Sequence, residues 1–271
     1  MRALSAAEAA IYESLVVKRY MQPFGEAAVP MLLECRPASI AHLDCRTGYP
    51  AELIARHLRG CSISGVDSSS AALELARTKA RLNGLAGARY VSAEALPTPL
   101  SPRSFTHVLA LHPLGEDGHY EPIFGEMHRL LGPSGQAVVA LPLRGSYPEI
   151  YDMLREYALR HDQPAFAEAV DRAATARPNP ETLAEQVERA GFDEVEVTVD
   201  LVGITFENGR DFLEDPITRL VVGPDIVASL SSQQVFEAGL AYATEAIAKY
   251  WSEIKFELTV NIGCVSARKR S

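Results

Sequence analysis

The sequence has little of what builds disulfide, metal or membrane-spanning structures. Its four cysteines, Cys35, Cys45, Cys61 and Cys264, are widely separated and form no C-x-x-C pair, so neither a zinc site nor a redox pair is expected. No stretch approaches the ~18 apolar residues of a membrane span, and Glu8 precedes any apolar run at the amino terminus. We therefore expect a cytoplasmic protein with reduced cysteines, no metal and no membrane partner.

Basic residues are also in short supply. The 271 residues include 26 Lys and Arg against 35 Asp and Glu, a formal net charge of −9, which argues against nucleic acid as a partner. Hydrophobic residues make up 47% of the chain and charged residues 23%, which is typical of a folded globular protein. The length suits one α/β domain with additions.

From about residue 38 onward, short β-rich runs alternate with helical stretches, which is typical of βαβ units around a parallel sheet. Such a sheet binds ligands beyond the carboxyl ends of its strands. The predicted strands cover 39–43, 62–66, 89–91, 105–111 and 136–141, with helices at 51–58, 69–82 and 121–131.

The whole chain, 1–271, reads as a single domain with helical additions. In the last addition, apolar residues at spacings of 4, 3, 4 and 3 predict a helix face packed on the sheet; they are Phe236, Leu240, Ala243, Ile247 and Tyr250. The parts are an N-terminal helical cap (1–37), a core (38–145), a helical insertion (146–178), and a C-terminal part (179–271) containing a helical insert (207–251).

Four motifs follow one another through the core. They read IAHLDCRTGY at 40–49, SGVDSS at 64–69, AEALP at 93–97 with SFTHVL at 104–109, and EMHRLLGPSG at 126–135. In this order they resemble the class I S-adenosylmethionine-dependent methyltransferases that act on small molecules. The family's segments read V-L-D-x-G-C-G-T-G-Y, a second strand ending in an acidic residue, D-A-E-x-L-P with S-F-D-x-V, and E-x-x-R-V-L-x-P-G-G. The resemblance implies a Rossmann-like, seven-stranded, mostly parallel sheet.

The sequence departs from the family in the turn after the first strand. In an ungapped alignment His42 replaces the strand-end acid, Asp44 and Arg46 replace the first two glycines, and Gly48 remains. Glycine in such a turn reaches positive φ and lets a ligand approach the backbone. A gapped alternative makes Asp44 the strand-end acid and shortens the loop by two residues, but it still leaves Arg46 in the turn. Two later acids are also replaced, by Ser92 and Thr106.

The resemblance implies that Asp67 holds the ribose hydroxyls of the cofactor, although an aspartate before Ser-Ser-Ser also suits a helix start with no ligand. Arg46 suits an anion at the start of the helix after Pro50, or it pairs with Asp44 or Asp67 and fills the pocket. The cofactor-binding residues that the resemblance implies are Asp44, Arg46, Gly48, Asp67, Ser68, Ala93 and Glu94.

His112 follows the fourth strand, where, with His119, it could supply a general base. The alternative is a surface histidine in a loop that contains glycine and proline. His112 is the single catalytic candidate.

Two functional hypotheses follow. The favoured one is a degenerate, non-catalytic methyltransferase-like domain that binds a protein partner or a small, anionic ligand and needs no cofactor. The other is an active S-adenosylmethionine-dependent methyltransferase of a small molecule, which works mainly by aligning methyl donor and acceptor. The turn 44–48 distinguishes them, because the first hypothesis requires the Arg46 side chain to point into the pocket.

Overall fold

A single seven-stranded sheet forms the centre of the protein. The computed structural model describes residues 3–115, 118–229 and 233–270. The strand order is β3-β2-β1-β4-β5-β7-β6, with β7 antiparallel to both of its neighbours and the pairs among β1 to β5 parallel. This topology confirms the predicted fold class. The strands are β1 (Ser39–Leu43), β2 (Ser62–Asp67), β3 (Ala88–Ser92), β4 (Phe105–Leu111), β5 (Leu131–Pro142), β6 (Phe192–Phe206) and β7 (Phe256–Lys269).

Helices cover both faces of the sheet. Before β1 the chain forms helix α1 (Ala6–Ile11), a π-helical segment (Tyr12–Met21) and helix α2 (Gln22–Ala28). A second π-helical segment, Thr218–Val222, lies within the last insert. The other helices are α3 (Ala51–His57), α4 (Ser70–Leu82), α5 (Glu121–Leu130), α6 (Pro148–Arg160), α7 (Pro164–Ala176), α8 (Pro180–Arg189), α9 (Gly209–Glu214), α10 (Gly223–Ala228) and α11 (Gln233–Tyr250).

The strand order reverses between β1 and β4, so the loops after these strands diverge and leave a crevice at their carboxyl ends. Strand β1 is held in register on both sides: His42 pairs with Gly65 of β2 and Leu109 of β4. The turns that follow β1 and β4 are therefore carried by central, largely buried strands, which fixes the position of any site formed there.

Two apolar cores hold the layers together. One joins the N-terminal helices, α6, α7 and the last insert to one face of the sheet, and the other joins α5 and α8 to the opposite face. Fully buried aromatic side chains such as Tyr20, Phe24 and Phe124 fill both cores. Burial of this kind is the main favourable contribution to folding.

The apolar stripe of α11 is correct in pattern but not in partner. Phe236, Ala243 and Ile247 are buried as predicted, while α11 packs mainly on α6 and α9 rather than on the sheet. Gly239 allows α11 to approach α7 and α6 closely, because a Cβ there would collide with Phe166 of α7 and lie 3.2 Å from Leu154 of α6. Among the described residues, no helix combines the length and apolar character needed to cross a bilayer.

Candidate functional site

The turn after β1 keeps the backbone shape of a glycine-rich loop without its glycines. Asp44, Arg46 and Gly48 have φ values of +50°, +47° and +83°. These are the three glycine positions of the ungapped alignment, so the geometry favours that alignment over the shortened loop. Gly48 is required, because a Cβ there would lie 2.9 Å from the Tyr90 hydroxyl. Asp44 and Arg46 hold a conformation that is uncommon for residues with side chains.

The Arg46 side chain turns inward and pairs with Asp67. Its Nη1 lies 3.7 Å from Asp67 Oδ1, and the two side chains are only 6% and 2% exposed. The backbone N–H of Arg46 donates to Asp67 Oδ2 at 3.0 Å, and the backbone N–H of Ser69 donates to Oδ1 at 2.8 Å. The structure thus shows the pairing with Asp67 that the sequence offered as one alternative. Asp67 also supports the start of α4, where Ser69 is the N-cap.

The N-terminal segment covers this turn. Ser69 Oγ accepts from the backbone N–H of Leu4 and donates to its carbonyl, both at 3.0 Å. Tyr12 is 4% exposed, and burial raises the pKa of its phenol. A void of about 10 Å³ remains between the segment and the turn, enough for roughly one water molecule. It is lined by Tyr12, Met21, His42, Asp44, Cys45, Arg46, Thr47, Tyr49 and Leu111.

An open cleft of about 510 Å³ lies beside this filled region. Five of the seven predicted cofactor-binding residues line it: Asp44, Asp67, Ser68, Ala93 and Glu94. Arg46 and Gly48 do not. The three carboxyl groups give the cleft an acidic character, and burial raises the pKa of Asp44. Its apolar lining comes from Leu43, Val66, Leu96, Leu114 and Ile123.

The other departures from the family motifs have local structural roles. His42 is 1% exposed within β1, and burial lowers the pKa of its imidazole to about 3, so a neutral ring replaces the family's strand-end acid. Thr106 Oγ1 accepts from the backbone N–H of Ser39 at 2.9 Å and donates to its carbonyl at 3.0 Å. Thr106 therefore helps to join β4 to β1.

His112 is neither on the surface nor in the cleft. It is 1% exposed with φ of +51°, and burial lowers the pKa of its imidazole. Its Nε2 lies 2.9 Å from the Tyr20 hydroxyl and 3.4 Å from the Tyr147 hydroxyl. The surface-loop interpretation of His112 is therefore wrong, because the N-terminal helical segments cover the carboxyl end of β4, where Tyr20 and Phe24 pack against the His112 ring. A base at this position has no open path to a substrate in this conformation.

Sequence reasoning missed the partners of His112. Tyr20, Tyr147, Arg177 and Asp225 come from four distant segments that lack any shared motif. Tyr147, directly before Pro148, has a left-handed backbone with φ of +61°. Among the described residues, no three His, Cys, Asp or Glu side chains gather as a metal site would require.

Comparison with known proteins agrees with this fold. A family profile described as "Methyltransferase domain" matches residues 40–135. Demethylmenaquinone methyltransferase of Thermus thermophilus is 32% identical over 127 residues, which are 46% of this chain and 57% of that protein. The match thus spans little more than half of that relative.

Solved structures show the same fold. Phosphoethanolamine N-methyltransferase 2 of Haemonchus contortus, in complex with S-adenosylhomocysteine, superimposes with a TM-score of 0.59 at 15% identity, covering 99% of this chain and 59% of that one. The [4+2]-cyclase SpnF superimposes with a TM-score of 0.51 at 20% identity, covering 93% and 80%. Residues 40–135 thus match a methyltransferase domain, and the sheet has the strand order of the class I S-adenosylmethionine-dependent methyltransferase fold.

Proposed function

We propose that this protein is a non-catalytic methyltransferase-like protein, which binds a neutral or cationic nucleoside-type molecule in the cleft and does not use a methyl donor. One observation carries the proposal. The inward Arg46 side chain leaves about 10 Å³ above the turn, whereas the adjoining cleft keeps about 510 Å³. The space for the nucleoside half of a donor is open, and the space for its amino-acid half is filled.

Exclusion of the donor has a steric and an electrostatic part. The amino-acid chain of S-adenosylmethionine needs far more room than a single water molecule occupies. A sulfonium near the Arg46 guanidinium would also be repelled, by about 1 kcal/mol at ~4 Å in bulk water and about 4 kcal/mol at an effective dielectric of ~20. Asp67 offsets part of that repulsion, but its carboxylate already accepts two backbone N–H groups and faces Arg46.

The cleft itself favours ligands that donate hydrogen bonds. Each Asp67 oxygen accepts one backbone N–H, which leaves further lone-pair directions for ligand hydroxyls. Asp44 and Glu94 add two more carboxyl groups at the rim, and Val66 and Ile123 supply apolar contact area. Three carboxyl groups disfavour an anion and suit a diol or an amine on a flat, partly apolar ligand.

A second candidate function is methyl transfer to a small molecule. The observation that favours it is that Asp67, Ser68, Ala93 and Glu94 line an open cleft, as a cofactor site would require. The name of the Thermus relative also describes a methyltransferase. In this case Arg46 would leave the turn when S-adenosylmethionine binds to Gly48, Asp67, Ala93 and Glu94.

Calorimetric titration with adenosine, S-adenosylmethionine and S-adenosylhomocysteine tests the proposal. Ala93→Trp blocks the cleft beyond β3, and Ala86→Trp, at the other end of the same strand on an exposed residue, is the matched control. We expect adenosine to bind the unmodified protein and Ala86→Trp more tightly than either methionine-bearing ligand does, and to lose binding in Ala93→Trp.

Two results would overturn the proposal. Micromolar binding of S-adenosylmethionine, tighter than that of adenosine, would establish the second candidate. An absence of nucleoside binding, or adenosine binding that Ala93→Trp leaves intact, would remove the cleft as a nucleoside site and favour a protein partner instead.

A further inference from the structure

A second polar site is closed off from solvent. It surrounds the carboxylate of Asp225, and each of its side chains belongs to a residue that is at most 7% exposed. Because unpaired polar groups are costly to bury, so many in one place require a specific arrangement. We call this group the Asp225 cluster; its members are Tyr20, His112, Tyr147, Tyr151, Arg177 and Asp225.

The geometry of the cluster is that of donors converging on one oxyanion. The Tyr147 hydroxyl donates to Asp225 Oδ2 at 3.0 Å. Arg177 Nη2 lies 3.0 Å from the same oxygen, and His112 Nε2 lies 3.7 Å from it. Charge-assisted contacts of this kind are the strong ones in a protein interior.

A second layer of hydroxyl groups orients these donors. The Tyr20 hydroxyl lies 2.5 Å from that of Tyr147 and 2.9 Å from His112 Nε2. Arg177 Nη1 donates to the Tyr151 hydroxyl at 3.0 Å, and the guanidinium stacks 4.9 Å from the Tyr147 ring centroid. These contacts restrict the positions that the donors can adopt.

The donors and the acceptor come from different parts of the fold. His112 follows β4, Tyr147 begins α6, and Arg177 precedes α8, so all three stand on or beside the sheet scaffold. Asp225 belongs to the short helix α10 in the last insert. The scaffold therefore presents a cation and several hydroxyl donors, and the insert supplies the only carboxylate that they contact among the described residues.

The cluster also has spare binding capacity. Arg177 Nε, although buried, has no hydrogen-bond acceptor in the described part of the chain. A guanidinium with Nε and a terminal nitrogen available can hold a planar carboxylate or a phosphate with two parallel bonds. Asp225 uses only one of its two oxygens in this contact, so it is an incomplete occupant of the site.

Irregular helical backbone delivers two members of the cluster. Tyr20 lies in the π-helical segment Tyr12–Met21, and Asp225 follows the π-helical segment Thr218–Val222 by three residues. π-Helical turns are rare and occur mostly at functional sites. Both π-helical segments therefore lie next to the Asp225 cluster.

We propose that the Asp225 cluster is a binding site for a small molecule with a carboxylate or phosphate monoester group, and that Asp225 is an internal ligand which the incoming oxyanion displaces from Arg177. This site is separate from the acidic cleft and prefers the opposite charge. The proposal does not depend on nucleoside binding in the cleft, because none of the cluster's six residues lines the cleft.

Hydrogen exchange on the unmodified protein is the first test. Inorganic phosphate and chloride are compared at equal ionic strength, and the peptide that covers α10 is followed. Release of Asp225 from Arg177 should make α10 exchange at least about threefold faster in phosphate, with no change in β4 or β5. Equal exchange of α10 in the two salts, up to high phosphate concentration, would overturn the proposal.

Charge-removal variants give the second test, read as the phosphate-dependent rise in melting temperature. Asp225→Asn vacates the oxyanion position and should bind phosphate at least about tenfold more tightly than the unmodified protein. Asp215→Asn is the matched control, since Asp215 forms an ion pair between the same insert and Arg19 of the N-terminal region. The combined variant Asp225→Asn, Arg177→Met should lose the gain.

An equal phosphate response in Asp225→Asn and Asp215→Asn would contradict the proposal, as would a gain that survives the loss of Arg177. If Asp225→Asn does not fold, the exchange measurement on the unmodified protein decides the question by itself. Acetate in place of phosphate then distinguishes the two sources of the oxyanion, since a carboxylate site responds to acetate and phosphate, whereas a phosphate site responds to phosphate alone.

Discussion

Replacement of Arg46 by glycine tests the filled turn most sharply. The substitution removes one partner of a buried ion pair, since the two side chains are 6% and 2% exposed. Such a loss typically costs about 3–5 kcal/mol, and we take about 3 kcal/mol because Asp67 retains its two backbone N–H donors. Glycine also tolerates the φ of +47° without the penalty of about 1 kcal/mol that a side chain carries there.

The two contributions give a net loss of about 2 kcal/mol in the free energy of unfolding. For 271 residues, an unfolding entropy of about 2.1 cal/mol/K per residue amounts to about 0.57 kcal/mol/K, so the melting temperature should fall by about 4 °C. The same change empties the space above the turn. We therefore expect S-adenosylhomocysteine to bind at least about tenfold more tightly, which corresponds to ~1.4 kcal/mol.

Two further variants at the same position separate space from charge. Arg46→Ala empties the space but keeps a side chain at positive φ, so it should be about 1 kcal/mol less stable than Arg46→Gly while gaining similar affinity. Arg46→Lys keeps the cation and most of the volume and should gain none. Calorimetry and thermal unfolding measure both quantities. A folded Arg46→Gly that binds S-adenosylhomocysteine no better than the unmodified protein would refute the reasoning.

Three other predictions concern stability. Ser69→Ala removes the N-cap of α4 and both hydrogen bonds to Leu4. We therefore expect the free energy of unfolding, measured in urea, to fall by about 1–2 kcal/mol, and hydrogen exchange near Leu4 to be faster. An unchanged urea midpoint would contradict this. Burial lowers the pKa of His42 to about 3, so protonation favours the unfolded chain as pH falls below 6.5. Between pH 6 and 4 the free energy of unfolding of the unmodified protein should therefore fall by about 1.4 kcal/mol per pH unit more than that of His42→Leu. Parallel stability profiles of the two proteins against pH would exclude this. Burial raises the pKa of Glu126, but hydrogen bonds, above all the one from Arg129, lower this pKa overall. The stability that Glu126 contributes is therefore present above pH 4.5 and is lost as pH falls below that value. Glu126→Gln should be less stable at pH 7 and show a shallower acid transition, and equal stability at pH 7 would contradict the assignment.

Local sequence patterns predicted much of the fold because the strands of a parallel sheet are short, apolar and punctuated by turn residues. Strands β1 and β4 have the bounds that the sequence indicated. Strand β5 begins five residues earlier than predicted, at Leu131, which pairs with Phe105 of β4. In β6, Val199 and Leu201 belong to the apolar side of an alternating pattern, yet they are 46% and 74% exposed. Strand β6 is an edge strand of the sheet.

Only part of the candidate site could be predicted from the sequence. Asp44, Asp67 and Glu94 follow strand ends, so the topology alone brings them to one cleft. The direction of the Arg46 side chain depended on the position of Asp67, twenty-one residues away, and could only be posed as an alternative. The Asp225 cluster lay beyond prediction, because its members meet through packing between insert and scaffold rather than through any spacing along the chain.

A crystal structure of the unmodified protein grown with excess S-adenosylhomocysteine tests whether the Arg46 side chain keeps the amino-acid half of the ligand away from the turn 44–48. We expect the Arg46 guanidinium to stay beside Asp67 under the N-terminal segment. No amino-acid group of the ligand should lie above the turn 44–48, and the cleft should be empty or hold only a nucleoside moiety. An Arg46 side chain swung away from Asp67, with the amino-acid tail of the ligand seated on the backbone of Gly48, would contradict this expectation.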